Sequence, residues 1–328
     1  MRLVRRRFLT LAGAGLVGVA TSQSARSESY PSRSVRVIVA FAAGGPTDVV
    51  ARILAQQMSD HFGVQFYVEN IGGGGSNIGM GEAAKAAADG YTILFVSPAF
   101  AINATLYDKI PYNADKSFDA ITVAVDSPTG LTVNPSLPAA TVKELVELIK
   151  ANPRTYSYAS PGVGTPPHLV GELFRLSLGL DLVHVPFTGG GPAVVSTLAG
   201  HTPILFGAVP PAVAHIKAGK LRGLAMASPR RLKALPDIPT MAEAGYPGID
   251  GDTWFAALAP AGTPKDIINL LNKEMVRILQ LPRTQERLAE LGYDIIAETP
   301  ENSDRYIKEE IAKWAKVVRG ANLKAQAS

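Results

Sequence analysis

The sequence predicts an α/β chain of two lobes. Three observations carry that expectation. Strand-like and helix-like segments alternate from Val35 onward, the alternation restarts near Thr141, and glycine or proline turns recur at the carboxyl ends of the strands. A length of 328 residues suits roughly two domains. Apolar residues make up 47% of the chain and charged residues 18%, the balance of a chain with an ample core. No repeat of about 20–50 residues marks a solenoid.

The first segment reads as an export signal over residues 1–27. "RRRFLTLAGAGLVGVA" has a cationic start and an apolar stretch from Phe8 to Ala20, too short and too rich in glycine to span a membrane. Arg5-Arg6-Arg7-Phe8-Leu9 resembles the twin-arginine signature, with an ordinary Sec signal as the alternative. Ala25-Arg26-Ser27 is a small-x-small cleavage site, which starts the mature chain near Glu28. The leader carries five arginines and no acid, so without it the formal charge of +4 falls to −1. The basic balance therefore gives no argument for a nucleic-acid partner. There is no cysteine, hence no disulfide and no lipid-modified cysteine. The mature chain is expected to be soluble and periplasmic.

"VRVIVA" (35–40) reads as a buried strand, followed by a helix from Thr47 to about His61 that stops at Gly63. "FYVE" (66–69) is a second strand, "NIGMGEAAKAAA" (77–88) a helix of small residues, and "YTILFV" (91–96) a third strand. In the second unit, Thr141 and Glu144 form a capping box for "VKELVELIKA". Strands follow at 156–159 and 182–185, with helices over Pro167–Leu178 and Pro192–Ala199 closed by Gly179 and Gly200. "PILF" and "LRGLAMA" are further strands, and "TWFAALAP" (253–260) another. Thr263-Pro264 and Thr299-Pro300 open two final helices in the order N-cap then proline. Packed back on the first unit, these helices make the chain cross between lobes near Ser127–Asn134 and near Gly251–Leu258, a two-segment hinge. The expected division is 28–127 plus 254–328 for lobe 1 and 128–253 for lobe 2.

Motifs of catalysis are missing. The only full G-x-G-x-x-G, Gly13 to Gly18, falls in the leader, and Gly79-Met80-Gly81 falls within a predicted helix. No P-loop and no G-x-S-x-G elbow occur, and the five histidines have no metal-ligand spacing. No metal, no cofactor and no catalytic residue are therefore expected. An exported enzyme keeps weak support from the twin-arginine leader, and a ligand-sensing partner of a sensor kinase is a further alternative.

What recurs is a turn at the carboxyl end of a strand with a helix after it, at Phe41–Asp48, Ile71–Ile78, Ser160–His168 and Phe187–Pro192. That edge of a parallel sheet is where ligands bind. These four stretches contain no lysine or arginine, and Asp48 is their only acid. Backbone N–H groups and helix dipoles, about half a positive charge per helix end, would grip an anion, which suits a carboxylate. Glycine lets the ligand reach the backbone because no Cβ intervenes. The candidate ligand residues here are Phe41, Ala43, Gly44, Gly45, Asn77, Ser160, Gly162, Gly164, Thr165, His168, Phe187 and Thr188. Asn77 and Thr165 also read as helix caps, and His168 as a half-buried first-turn residue. Phe41, Phe100 and Phe187 either wall a pocket or serve the core. Asp48 either complements the helix dipole, or it orients the loop or meets a ligand donor.

At these residues the chain resembles the Bug family, the periplasmic solute-binding proteins of tripartite tricarboxylate transporters. The landmarks are "PSRSVRVIVAFAAGGPTDVVAR", "VENIGGGGSNIG", "ADGYTILF", "YASPGVGTPPHLVGELF", "HVPFTGGGPAVVSTLAGH", "IKAGKLRGLAMASPRRLKALPDIPTMAEAGYPG" and "LAPAGTP". The resemblance implies a type II periplasmic binding protein fold, with two lobes of mixed sheets closing on a small carboxylate. It implies a di- or tricarboxylate, an amino acid or an aromatic acid as ligand, membrane permease subunits as partners, and a monomer. It also implies that Phe41–Asp48 cradles a carboxylate with main-chain amides and that Ser97, Ala99, Phe100 and Ser160–Thr165 line the cleft. Two departures bear on the ligand. Many relatives read Tyr-Lys-Gly where this chain has Phe187-Thr188-Gly189, and "NIGGGGSNIG" lacks the usual Arg-Pro.

Overall fold

β1 (Val35–Val39) is buried at four of its five positions, as a β-branched run between two parallel neighbours requires. The computed structural model describes residues 30–320 and 323–324, so the predicted export signal lies outside the described residues. α1 (Pro46–Phe62) packs Val50, Leu54 and Met58 inward and ends at Gly63, as its spacing predicts. β2 (Phe66–Asn70) and β3 (Thr92–Val96) flank β1 on either side. The helix predicted over 77–88 is shorter, α2 (Asn77–Ala83), because Gly79 and Gly81 weaken it and the turn follows at once. α3 (Ala99–Leu106) was not anticipated. It is buried at Ala99, Phe100, Ala101, Ile102, Asn103 and Leu106, so no polar face gives it a helical period.

β4 (Phe118–Val133) is the longest strand, and it serves both halves of the molecule. Residues 118–128 pair antiparallel with β9 (Asp252–Pro260), and 129–133 pair with β7 (Ile204–Ala208) and β8 (Arg222–Ala227). The change of partner falls between Pro128 and Thr129, where Thr129 N–H also donates to Gly251 O at 3.4 Å. Between them lie α4 (Val142–Ala151), β5 (Ser157–Ser160), α5 (Pro166–Ser177), β6 (Val183–Pro186), α6 (Gly190–Leu198) and α7 (Val213–Lys217). The strand order among the described residues is β2-β1-β3-β9-β4-β7-β5-β6, with β8 and the short β10 (Asp294–Ile295) also on β4.

The caps agree with the sequence in part. Glu144 N–H donates to Thr141 Oγ1 at 3.1 Å, and Glu144 Oε2 accepts from Ala140 N–H at 2.7 Å, so the box closes one residue early. α10 (Pro300–Gly320) is capped by Thr299, which accepts from Asn302 N–H at 3.2 Å. Thr263 does not cap α8 (Lys265–Leu279). Its hydroxyl turns back to Pro260 O at 2.7 Å, and Pro264 takes the cap position. α9 (Pro282–Leu291) follows α8.

One apolar cluster joins β1, β3, β9 and the first part of β4 to α8 and α10, through Leu271, Met275, Ile307 and Trp314. A second gathers Leu131, Val133, Phe174 and Phe206 with α4. The C-terminal helices thus return to the first unit.

Asp126 sits beside the change of partner on β4, and its Oδ1 is buried with no hydrogen-bond partner among the described residues. Burial, then the charges of Asp252 and Asp294, pushes its carboxyl up from 3.8 to about 6. The folded chain therefore holds this proton more tightly than the unfolded chain. Ionised Asp126 lowers stability above about pH 6, and the penalty fades as pH falls toward 4. Asp126→Asn should raise the melting temperature at pH 8, and the gain should vanish near pH 4 in a pH series of thermal melts.

Candidate functional site

The loop after β1 is shaped by one buried carboxylate. Asp48, 2% exposed, accepts from Gly44 N–H at 2.9 Å, Asn70 Nδ2 at 2.8 Å and Arg52 Nε at 2.9 Å. Asn70 Nδ2 also donates to Phe41 O at 3.0 Å. Burial alone would raise the Asp48 carboxyl, but the Arg52, Gly44 and Asn70 donors outweigh it and hold it below the usual value. Of the two readings of Asp48, the geometry carries loop orientation, because both oxygens face the protein's own donors. Tyr293 fixes the helix start by donating to Pro46 O at 2.7 Å.

The loop meets the second unit backbone to backbone. Ala42 N–H donates to Thr188 O at 3.1 Å. A Cβ on Gly191 would stand 3.1 Å from Ala43 O and 3.3 Å from Gly44 C, so the two chains approach as closely as glycine permits. Ala43, Gly44, Gly45 and Thr188 therefore form a seal across the seam.

Two cavities flank this seal and share Phe41 and Pro161 as walls. The inner one has a free volume of about 20 Å³, room for one water-sized group. Three helices begin on it: α1 through Pro46 and Thr47, α5 through Pro166 and Pro167, and α6 through Gly190. Ser97 lines it just ahead of α3. Thr253 also lines it, and its Oγ1 is buried without a hydrogen-bond partner among the described residues. The outer cavity has about 400 Å³, and its walls include Tyr107, Val163, Pro186, Phe187 and the Gly73–Ser76 turn. No charged side chain lines either cavity among the described residues.

The electrostatics follow from the helix ends. Each N-terminus carries about +0.5 elementary charge, and three of them line one small space. The N–H groups of Thr47 and Asp48 in α1, and of Gly190 and Gly191 in α6, have no partner within their helices. The loop after β5 differs from expectation. Pro166 and Pro167 have no N–H, and the loop's own groups take three of its other donors. Gly162 N–H goes to Ser160 Oγ at 3.2 Å, Gly164 N–H to His168 Nδ1 at 3.3 Å, and Thr165 N–H to Gly162 O at 3.3 Å. The loop thus supplies a dipole, walls and fewer amide donors than expected, those of Val163 and His168 being the ones its own groups do not take.

His168 lies behind that loop and not in a cavity wall. Its ring stacks on His184 with centroids 4.3 Å apart, and His184 Nε2 bonds Ser160 Oγ at 2.7 Å. Burial pushes His168 down to about 4 and His184 down to about 3, so both rings are neutral at neutral pH. Ala99 and Phe100 are likewise core residues. Phe100 is 1% exposed and stacks on Tyr112 at 5.3 Å. Asn77 accepts from Asn103 Nδ2 at 3.0 Å and braces the glycine turn. Of the expected residues, Phe41, Ser97, Gly162, Thr165, Phe187 and Thr188 line cavities. Tyr107 and Thr253 were missed, and Thr47 and Val163 were reached only as members of the loops Phe41–Asp48 and Ser160–Thr165. Thr47 directly after a proline at a helix start was a usable signal, whereas Tyr107 needed α3 to be recognised first.

Gly164, at φ +82°, would drive a Cβ into Asn103 Oδ1 and to 2.9 Å from Leu106 Cδ2, both on the opposite unit. Gly164→Ala should therefore wedge the units apart as well as strain its own backbone by about 1–3 kcal/mol. The expected result is a larger radius of gyration in small-angle scattering and at least tenfold weaker acid binding.

The sequence profile of the Tripartite tricarboxylate transporter family receptor, TctC, matches residues 50–323. Protein BugT of Bordetella pertussis is 37% identical over 322 residues, covering 97% of this chain and 99% of that protein. Among solved structures, the periplasmic binding protein BugD aligns with a TM-score of 0.87 at 35% identity, over 90% of this chain and 100% of that one. A Rhodopseudomonas palustris protein solved with adipate aligns with a TM-score of 0.87 at 32% identity, over 90% and 99% of the two chains.

Proposed function

The chain belongs to the tripartite tricarboxylate transporter receptor family, and from that premise we propose a periplasmic receptor that seats one carboxylate at the seam between its units. The head of the acid occupies the inner cavity and its body the outer one. Residues 28–127 with 254–328 form one lobe and 128–253 the other, hinged at Pro128–Thr129 and Gly251–Asp252. The closed form is handed, as a monomer, to membrane permease subunits after the leader over residues 1–27 is removed.

The observation that carries this reading is the convergence of three helix N-termini on a cavity with no charged wall. Such a site holds an anion by fixed dipoles and releases it without breaking an ion pair. The adipate-bound relative supports a carboxylate as the ligand class. The relatives are binding proteins, and a receptor without turnover fits the absence of catalytic motifs in the sequence.

A thermal-shift screen of the mature chain against organic acids tests the reading. A ligand at a hundred times its Kd adds about 2.7 kcal/mol of stability and should raise the melting temperature visibly. No shift across a broad panel would count against it.

A further inference from the structure

Resting on that reading and deepening it, we propose that the site takes a single negative charge: its ligand class is the monocarboxylate with a ring-sized apolar body. The two cavities differ in kind. The inner one, with about 20 Å³ free, accepts one small group and faces all three helix ends. The outer one, at about 400 Å³, is far larger than a four-carbon acid needs, and its side-chain walls are largely apolar or aromatic.

Phe41, Tyr107 and Phe187 contribute three aromatic rings to the outer walls, and Pro161, Val163 and Pro186 add apolar surface. Phe41 and Pro161 wall both cavities, so an acid spans from one to the other past these two residues. Aromatic walls favour offset or edge contacts with a ring. The hydroxyl of Tyr107 is a neutral donor, and burial holds its proton on by raising its pKa. Ser76 Oγ already donates to Gly75 O.

A second carboxylate in the outer cavity would meet no ammonium or guanidinium. Arg52, the nearest arginine in sequence to the first loop, spends its Nε on Asp48 and its Nη2 on Asn70. Desolvating an unpaired carboxylate against Phe41 and Phe187 is unfavourable, and the two carboxylates would also repel each other. The inner site gathers three helix ends on one charge, whereas the outer site offers a second charge only the main chain of the Gly73–Ser76 turn and neutral hydroxyls.

Isothermal titration of the mature chain with benzoate, phenylacetate, adipate and malate at pH 8 tests this. The expected result is at least tenfold tighter binding of an aromatic monoacid than of either diacid. Thr188→Lys, at an exposed rim position of the outer cavity, should narrow that gap at least tenfold by supplying the missing cation. Tighter binding of adipate or malate to the unaltered chain would overturn the single-charge inference and leave the receptor reading standing. Failure of all four acids, with no response from a wider acid panel, would overturn both.

Discussion

Gly45→Asp should leave the fold intact and weaken acid binding about a hundredfold or more. Gly45 is the N-cap of α1 with φ −79° and ψ 169°, an ordinary extended conformation. A Cβ there comes no closer than 3.4 Å to any neighbour, Ala42 O being the nearest. Aspartate is among the best N-cap residues, so the melting temperature should hold or rise. The new carboxylate would take the first-turn N–H groups of α1 and place a like charge beside the seat. At about 5 Å and an effective dielectric constant near 20, that repulsion is roughly 3 kcal/mol. Calorimetric melts and titration on the same preparation separate the two effects. Unchanged affinity would remove α1 from the anion site.

Asp48→Ala should cost about 1–3 kcal/mol of stability and loosen the site together with the fold. It takes the acceptor from the exposed Gly44 N–H, where water can substitute, and one of two acceptors from half-buried Asn70, a hydrogen-bond loss of about 1–3 kcal/mol in all. Arg52 suffers less, because its side chain is 52% exposed and water can replace the carboxylate. The folded pKa of Asp48 lies below its ordinary value of 3.8, so its contribution is complete above that value. It is lost as pH falls through the folded pKa. The gap between the variant and the parent should therefore be full at pH 7 and shrink under strong acid. Urea titrations at both pH values measure it. A constant gap would mean that Asp48 acts by packing alone.

Much of this architecture is legible in the residues themselves. Helix starts at Pro46, Thr141 and Thr299 and stops at Gly63, Gly179 and Gly200 are written in local chemistry that tertiary contacts do not alter. α3 is not legible, because a helix buried all round has no polar face to give it a period. Losing α3 hid Tyr107 at its end, and of the two readings of Phe100, pocket wall or core, its burial favours the core.

The amide cradle was half legible. A glycine loop ahead of a helix offers main-chain N–H groups, but which of them stay free depends on distant partners. Thr188 takes the N–H of Ala42 across the seam, and Asp48 takes that of Gly44. Prolines at the start of α5 signalled a helix and at the same time removed two of the first-turn donors. His168 reads as a cleft residue from its place in the chain, yet the fold stacks it on His184 behind the loop.

The central claim is that helix ends, and no cationic side chain, hold the acid. A crystal structure of the mature chain with its bound acid tests it most directly. The account predicts carboxylate oxygens in the inner cavity, about 3 Å from main-chain N–H groups at the starts of α1 and α6 and from hydroxyls such as Thr253. A carboxylate held by a guanidinium or ammonium group, or lodged away from both cavities, would contradict it.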